Sequence, residues 1–164
     1  MTTSLSYHDS YIGQLRALVG NRKLIVVTTR ALIQDEAGRL LFVRRNDNSE
    51  WVMPSGALEL DESLFDSMKR EVKEEAGLDV ITAHPMAIYT YLDKVTAYGD
   101  AFAQISIQFL VTQWSGALVT KTDETSDARF FAIDDLPDNV ADHYTEVLAD
   151  WRDYDGRFLL KETQ

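Results

Sequence analysis

The stretch GALELDESLFDSMKREVKEEAGL, from Gly56 to Leu78, constrains this chain more than any other part of it. It sets Gly56, Glu62, Arg70-Glu71, Glu74-Glu75 and Gly77-Leu78 at fixed intervals, with the aliphatic Val72 between the acid pairs, in the pattern G-x5-E-x7-R-E-U-x-E-E-x-G-U, where U is aliphatic. The local chemistry predicts a helix. Ser63 can cap its start through the hydroxyl, Asp66 completes a capping-box arrangement, and Gly77 supplies a left-handed end. At ~100° per residue, Phe65, Met68, Val72 and Ala76 share an apolar arc roughly 80° wide. Glu75, Glu71 and Glu74 follow in that order over an adjoining arc of about 100°, so Glu75 borders the core and is expected to be the most buried.

Neighbouring carboxylates repel one another and weaken a helix. A solvated acidic face is the ordinary explanation for such a cluster. Here the acids border the core-facing stripe, where unpaired charge is costly, and they follow the turn Pro54-Ser55-Gly56, which can bring backbone carbonyls to the same place. Carboxylate and carbonyl oxygens suit Mg²⁺ or Mn²⁺, which would relieve the repulsion. Arg70 stands one turn before Glu74 and is expected to pair with it and orient it. Glu62 reads either as a further acid of the site or as a complement to the helix dipole.

The complete pattern resembles the signature of the Nudix hydrolases, which cleave a nucleoside diphosphate joined to another group. The resemblance implies an α/β/α sandwich around a mixed β-sheet, an α+β fold, with one to three divalent ions (Mg²⁺ or Mn²⁺) held by the signature. By matching position it implies Glu71 and Glu75 as metal ligands, Glu74 as an additional one, and the carbonyl of Ser55 as a backbone ligand. Many members have Gly where this chain has Ser55, a departure that bears on backbone geometry more than on the carbonyl contact. The reaction implied is attack of water at phosphorus, with a carboxylate taking the proton. That base lies either in the signature helix or on a distant loop, where Glu124 is the candidate; as an acid reaching the same site it is a further candidate ligand. Glu71, Glu74, Arg70 and Glu124 are thus the catalytic candidates, and Arg44, Arg45, Gly56 and Trp51 the candidate substrate contacts.

Composition sets the outer bounds. The 164 residues suit one catalytic domain, taken as residues 21–164, preceded by an N-terminal helical segment over residues 1–20. That segment could pack on the core, contact a second copy in a homodimer or cover a pocket, and core packing is the expectation. The chain has no cysteine, which excludes disulfides, thiolate catalysis and a cysteine-ligated zinc. The N-terminus lacks a basic start followed by an apolar run, and no stretch approaches a membrane span, so a cytoplasmic location is expected. The net charge of −11 conflicts with a polyanionic nucleotide substrate and disfavours non-specific nucleic-acid binding. A bound divalent cation would invert the field locally, with help from Arg44 and Arg45.

Along the chain, residues 7–19 read as a helix. Residues 23–33 and 39–45 read as strands joined by the turn at Asp35 to Gly38, a hairpin. Extended stretches follow at 79–83, 87–92, 101–114 and 129–133, with a turn at Tyr98-Gly99-Asp100, then a helix over 139–151 and a short strand or tail at 157–160. The substrate is the least constrained point. No proline falls between Pro85 and Pro137, so a marker of some ADP-ribose-cleaving members is missing. Tyr98 stands where dinucleoside-polyphosphate members often carry Tyr, and Trp51, Tyr89, Tyr91 and Phe102 could stack on a base or pack in the core. A nucleotide-sensing domain without turnover and an enzyme acting on RNA 5′ ends are the competing readings. The first is expected to have lost signature acids, and this chain retains them all.

Overall fold

A computed structural model describes residues 6–96 and 99–163. Its elements are α1 (Tyr11–Val19), β1 (Leu24–Ile33), β2 (Leu40–Arg45), β3 (Trp51–Val52), β4 (Ser55–Ala57), α2 (Leu64–Ala76), β5 (Asp79–Val95), β6 (Ala101–Ser115), β7 (Thr125–Phe131), α3 (Tyr144–Arg152) and β8 (Leu159–Thr163). They form a five-stranded sheet in the order β4-β1-β6-β5-β8 and a three-stranded sheet in the order β3-β2-β7. The large sheet is mixed: β1 runs parallel to β6 and β5 parallel to β8, while β1–β4 and β5–β6 are antiparallel. α2 lies on one face, where the Thr29 and Ser67 hydroxyls meet at 3.1 Å and the Phe65 ring meets Phe109. α3 lies on the other, tied to it by the hydrogen bond Tyr89 Oη donates to Asp150. The result is the mixed-sheet α+β sandwich expected from the sequence.

The strongest departure is at the first turn. Gly38 takes the left-handed φ of 78° that the turn needs, yet among the described residues β1 and β2 form no hairpin ladder: the turn closes with Asp35 N donating to Arg39 O and the isolated bridge Gln34–Leu40, just beyond β1. Both edges of β1 are already occupied, by β6 and by β4, so β2 must leave the sheet. It crosses to the small sheet, where Leu40, Leu41, Phe42 and Val43 are all fully buried between the layers. The expected strands at 79–83 and 87–92 are one strand, β5, with a register shift between Pro85 and Ala87. A bulge is where a residue without an N–H is tolerated inside a sheet. The last helix starts at Tyr144, later than expected, because residues before it serve the sheet instead: Asn139 O accepts from Trp51 N and Val140 bridges Trp51.

At the N-terminus α1 is capped by Ser10, whose hydroxyl accepts from Gly13 N. Tyr11 N donates to Glu59 and Arg16 Nη2 donates to Ala101 O, so the helix is tied to the loop before α2 and to the start of β6. Tyr98 lies outside the described residues.

Candidate metal and phosphate site

The local rules that predict α2 also aim its acids. Ser63 Oγ accepts from Asp66 N at 3.1 Å and donates to the Asp66 carboxylate at 2.7 Å, and Gly77 ends the helix at φ 73°. Met68, Val72 and Ala76 turn into the core and carry the neighbouring face with them, leaving Glu75 2% and Glu71 6% exposed. Gly56, opposite on β4, permits this approach: a Cβ there would overlap the Glu71 carboxylate. The signature therefore needs glycine at this point because a carboxylate occupies the space of a side chain.

Ser55 N donates to Glu75 Oε2 at 2.9 Å. Ser55 faces Arg30 of β1 in the antiparallel ladder, yet its N–H points away from that strand. In extended backbone the carbonyl of the same residue points the same way.

The third acid arrives from the small sheet. β7 begins at Thr125, four residues before the expected start, and Arg45 is its partner past a bulge in β2. The fully buried Thr125 donates through Oγ1 to Glu75 O at 3.1 Å, and Asn46 donates to Glu124 O and Asp123 O. These bonds deliver Glu124, so that carboxylate oxygens of Glu71, Glu75 and Glu124 lie within 4.8 Å of one another. Thr125 did not stand out as a site residue; the Thr122/Thr125 pair, whose hydroxyls meet at 2.9 Å, is the signal that could have found it.

Glu74 is not in that group, and Arg70 does more than orient it. Arg70 Nε and Nη2 hold both oxygens of Glu62 at 3.0 and 2.8 Å, Nη1 reaches Glu71 at 2.6 Å and Glu74 at 3.2 Å, and Nη2 also donates to Ala57 O. The guanidinium thus ties the loop before α2 to the acids on it. Glu62, which also accepts from Glu59 N, is an anchor for Arg70.

The electrostatics follow from this crowding. Burial pushes Glu71 up to about 7; Arg70 opposes the rise, while Glu124 and Glu74 add to it. Glu75 is raised well above its ordinary value by burial and then by Glu71, with Ser55 N–H and Arg45 acting the other way. Burial also raises Glu74 against the pull of Arg70. For Glu62 burial acts against ionisation, but Arg70 and the Glu59 N–H outweigh it and the carboxyl titrates low.

Of the candidate substrate contacts, Arg45 is bound by Asp47 at 2.9 and 2.8 Å and feels Glu75 and Glu124, placing it beside the cluster. Arg44, next on the strand, is exposed and donates to Ser49 O. Trp51 is 7% exposed, edge-on to Phe131 at 4.9 Å, which makes it a core residue instead of a stacking surface. Tyr89 is fully buried and Tyr91 nearly so, while Phe102 is half-buried.

A mixed sheet carrying a glycine-backed acidic helix on one face defines a class, and comparison agrees with it. A family model of the NUDIX domain matches residues 25–151. A "MutT-like protein" of Streptomyces ambofaciens is 30% identical over 142 residues, covering 82% of this chain and 86% of that protein. An "ADP-ribose pyrophosphatase" of Methanocaldococcus jannaschii is 28% identical, covering 73% of this chain and 69% of that one. Among solved structures, a MutT NUDIX hydrolase from Burkholderia pseudomallei superposes with a TM-score of 0.65 at 25% identity, covering 77% of this chain and 97% of that one. The chain belongs to the Nudix hydrolase family, whose members act on small-molecule nucleotides. Among the described residues no helix is long and apolar enough to cross a membrane.

Proposed function

We propose that this chain hydrolyses a diphosphate bond in a nucleoside triphosphate, or in a nucleoside diphosphate linked to another group, by attack of water at phosphorus with Mg²⁺ or Mn²⁺ bound. The observation that carries this is the convergence of Glu71, Glu75 and Glu124 beside the Ser55-Gly56 turn. Two of these carboxylates are buried, and among the described residues the Glu75 side chain receives one hydrogen bond, from Ser55 N–H. Such a group fits a hard divalent cation, because Arg70 beside Glu71 and Arg45 near Glu75 do not outweigh the cost of burying these acids, and both carboxyls stay raised. Glu71 and Glu75 would hold it, with the Ser55 carbonyl. A cation there supplies neutralisation of charge on the diphosphate oxygens and polarisation of the phosphoryl group.

The chain's own residues divide the remaining work. Glu124, the least buried acid of the three and carried by a loop, takes the proton of the attacking water. Arg70 keeps Glu71 in place through its hold on Glu62 and Ala57 O, and Glu74 shares that network. Arg45, anchored by Asp47, and the exposed Arg44 meet the phosphates at the mouth. α1 acts as a packed cover of the core, outside the catalytic domain of residues 21–164.

Release of phosphate or pyrophosphate from a nucleotide panel, with and without Mg²⁺ or Mn²⁺, tests the reading. Turnover that needs the cation and disappears in Glu75→Gln, with the fold retained, is expected. Absence of turnover on every nucleotide would favour a sensor, and wild-type turnover by Glu75→Gln would remove the metal assignment. Cleavage confined to triphosphorylated RNA would favour the RNA 5′-end reading.

A further inference from the structure

α1 lies ahead of residues 25–151, the stretch that the family model matches, yet hydrogen bonds join it to the acids of the signature. A helix leaves its first N–H groups without partners of its own, and its N-terminal end carries partial positive charge. In α1 the Ser10 hydroxyl accepts from Gly13 N at 3.1 Å, and Ser10 N donates to Ser6 O. Tyr11 N, at the first helical position, donates to Glu59 Oε2 at 2.8 Å. A carboxylate of the catalytic domain therefore sits at the positive end of the N-terminal helix.

The other end of the helix is fixed to the sheet. The Arg16 side chain, 9% exposed, donates to Gly20 O at 3.1 Å, to Arg22 O at 2.6 Å and to Ala101 O at 2.8 Å, and it faces Asp100 at 3.8 Å. These bonds tie the last turn of α1 to the segment entering β1 and to the start of β6. At the first turn Gly13 lets residues 7 and 8 close over the helix, because a Cβ there would overlap Tyr7 O. α1 is thus a strut, held to the sheet at one end and to Glu59 at the other.

Glu59 is where the strut meets the site. β4 ends at Ala57, Leu58 N still donates to Val27 O, and the chain then leaves the sheet, with Leu60 68% exposed, until α2 begins at Leu64. On that excursion Glu59 gives its carboxylate to α1 and its own N–H to Glu62 Oε1 at 2.8 Å. The same Glu62 oxygen accepts from Arg70 Nη2 at 2.8 Å, and Oε2 accepts from Arg70 Nε at 3.0 Å. Arg70 Nη1 then reaches Glu71 at 2.6 Å. The contacts run in succession from Tyr11 N through Glu59, Glu62 and Arg70 to a carboxylate of the cluster. Arg70 is 26% exposed, and an arginine side chain has much rotamer freedom to lose, so its direction depends on how firmly Glu62 is held. With Glu59 solvated, α1 would be a cover alone; the bond to Tyr11 N makes it part of the support of the site.

We propose that Glu59, held by the first turn of α1, is a positioning residue for the metal site: it fixes the segment that anchors Arg70 and, through Arg70, the Glu71 carboxylate. The proposal rests on the carboxylate cluster being a divalent-cation site. Proline isolates the one N–H concerned. It suits a first helical position, and Ser10, with ψ 154°, already has the extended backbone that a residue before proline needs. Tyr11→Pro therefore keeps the helix and loses the donor, while Tyr11→Ala loses the same ring and keeps the N–H. Two measurements without nucleotide read the effect: Mn²⁺ affinity by calorimetric titration, and hydrogen exchange at the Glu59 amide. Relative to Tyr11→Ala, Tyr11→Pro should weaken Mn²⁺ binding about 3- to 10-fold, below the loss for a direct partner of a ligand, and should speed that exchange. Glu59→Ala should weaken binding to the same extent, Glu59→Gln, which keeps an acceptor oxygen, should retain most of the affinity, and in a Glu59→Ala background the difference between the two Tyr11 variants should vanish. Equal Mn²⁺ affinity in Tyr11→Pro and Tyr11→Ala, a difference that persists without Glu59, or faster exchange with unchanged Mn²⁺ binding would overturn the proposal. Should Tyr11→Pro lose helicity, Glu59→Ala against Glu59→Gln decides, and equal affinity in those two would overturn it. A wild type that binds no Mn²⁺, with exchange still faster in Tyr11→Pro than in Tyr11→Ala, would uphold the hold of α1 on the Arg70 anchor and remove the metal reading instead; unchanged exchange would remove both.

Discussion

Replacing Glu71 with Gln should stabilise the cation-free protein even as it impairs catalysis, and the site sets the size of the first effect. Glu71 is 6% exposed and its carboxyl is raised from 4.5 to about 7. Burial is the main cause, and it prevails although Arg70 lies at hydrogen-bonding distance. At about 1.4 kcal/mol for each pH unit, keeping this group ionised in the folded chain costs about 3 kcal/mol relative to the unfolded chain. Because the folded value lies above the unfolded one, the folded state holds the extra proton between 4.5 and about 7. Stability of the cation-free wild type therefore falls as pH rises through that window and levels off above it. Gln keeps an oxygen that can accept from Arg70 Nη1 and carries no charge. Near pH 8 with chelator the variant should be more stable by up to about 3 kcal/mol, or about 6–12 °C in a melt; near pH 4.5 the two proteins should coincide. Excess Mg²⁺ should reverse the order, since a cation stabilises the state that binds it. A Glu71→Gln variant melting at or below wild type in chelator near pH 8 would refute the reasoning.

Three further outcomes follow from the same geometry. Gly56→Ala places a methyl group where the Glu71 carboxylate sits, so Mg²⁺ affinity and turnover should fall about 10- to 100-fold with little loss of helicity, measured by metal titration and circular dichroism. Glu124→Gln should lower kcat by about 10²- to 10⁴-fold at unchanged Mg²⁺ affinity, and weaker Mg²⁺ binding would make it a ligand instead of the base. Gly77→Ala combines a φ of 73° with a Cβ that overlaps Val119, and should cost more than about 1 kcal/mol in denaturant melts without altering the metal site.

Much of the site could be read from the chain because a helix has a fixed rotation. The cap at Ser63, the end at Gly77, the apolar face of Met68, Val72 and Ala76, and the deeper burial of Glu75 than Glu71 all follow from positions along one element. Gly56 and Ser55 were legible for a similar reason, since they lie a few residues before it. Misreadings came where an outcome depends on what occupies a neighbouring space. A hairpin at Gly38 is good local chemistry, but β1 had no free edge to offer. Trp51 has the face for stacking, but Phe131 already lies against it. Arg70 was expected to serve Glu74, and Glu62 takes more of its guanidinium because the loop before α2 folds back across it.

By itself the sequence determined the acid-bearing helix, its boundaries and the order in which its carboxylates approach the core, because capping and periodicity are local. The tertiary structure alone decided which distant residues join them. Glu124 reaches Glu71 and Glu75 only because β2 leaves the large sheet and pairs with β7. Arg30, unremarkable in a strand of apolar and hydroxyl residues, becomes a buried cation only when Gln108 lies opposite it and the Tyr144 ring covers its guanidinium. Burial raises the cost of every unpaired charge, and burial belongs to the assembled layers, so which charges are enclosed is decided only when the chain has folded.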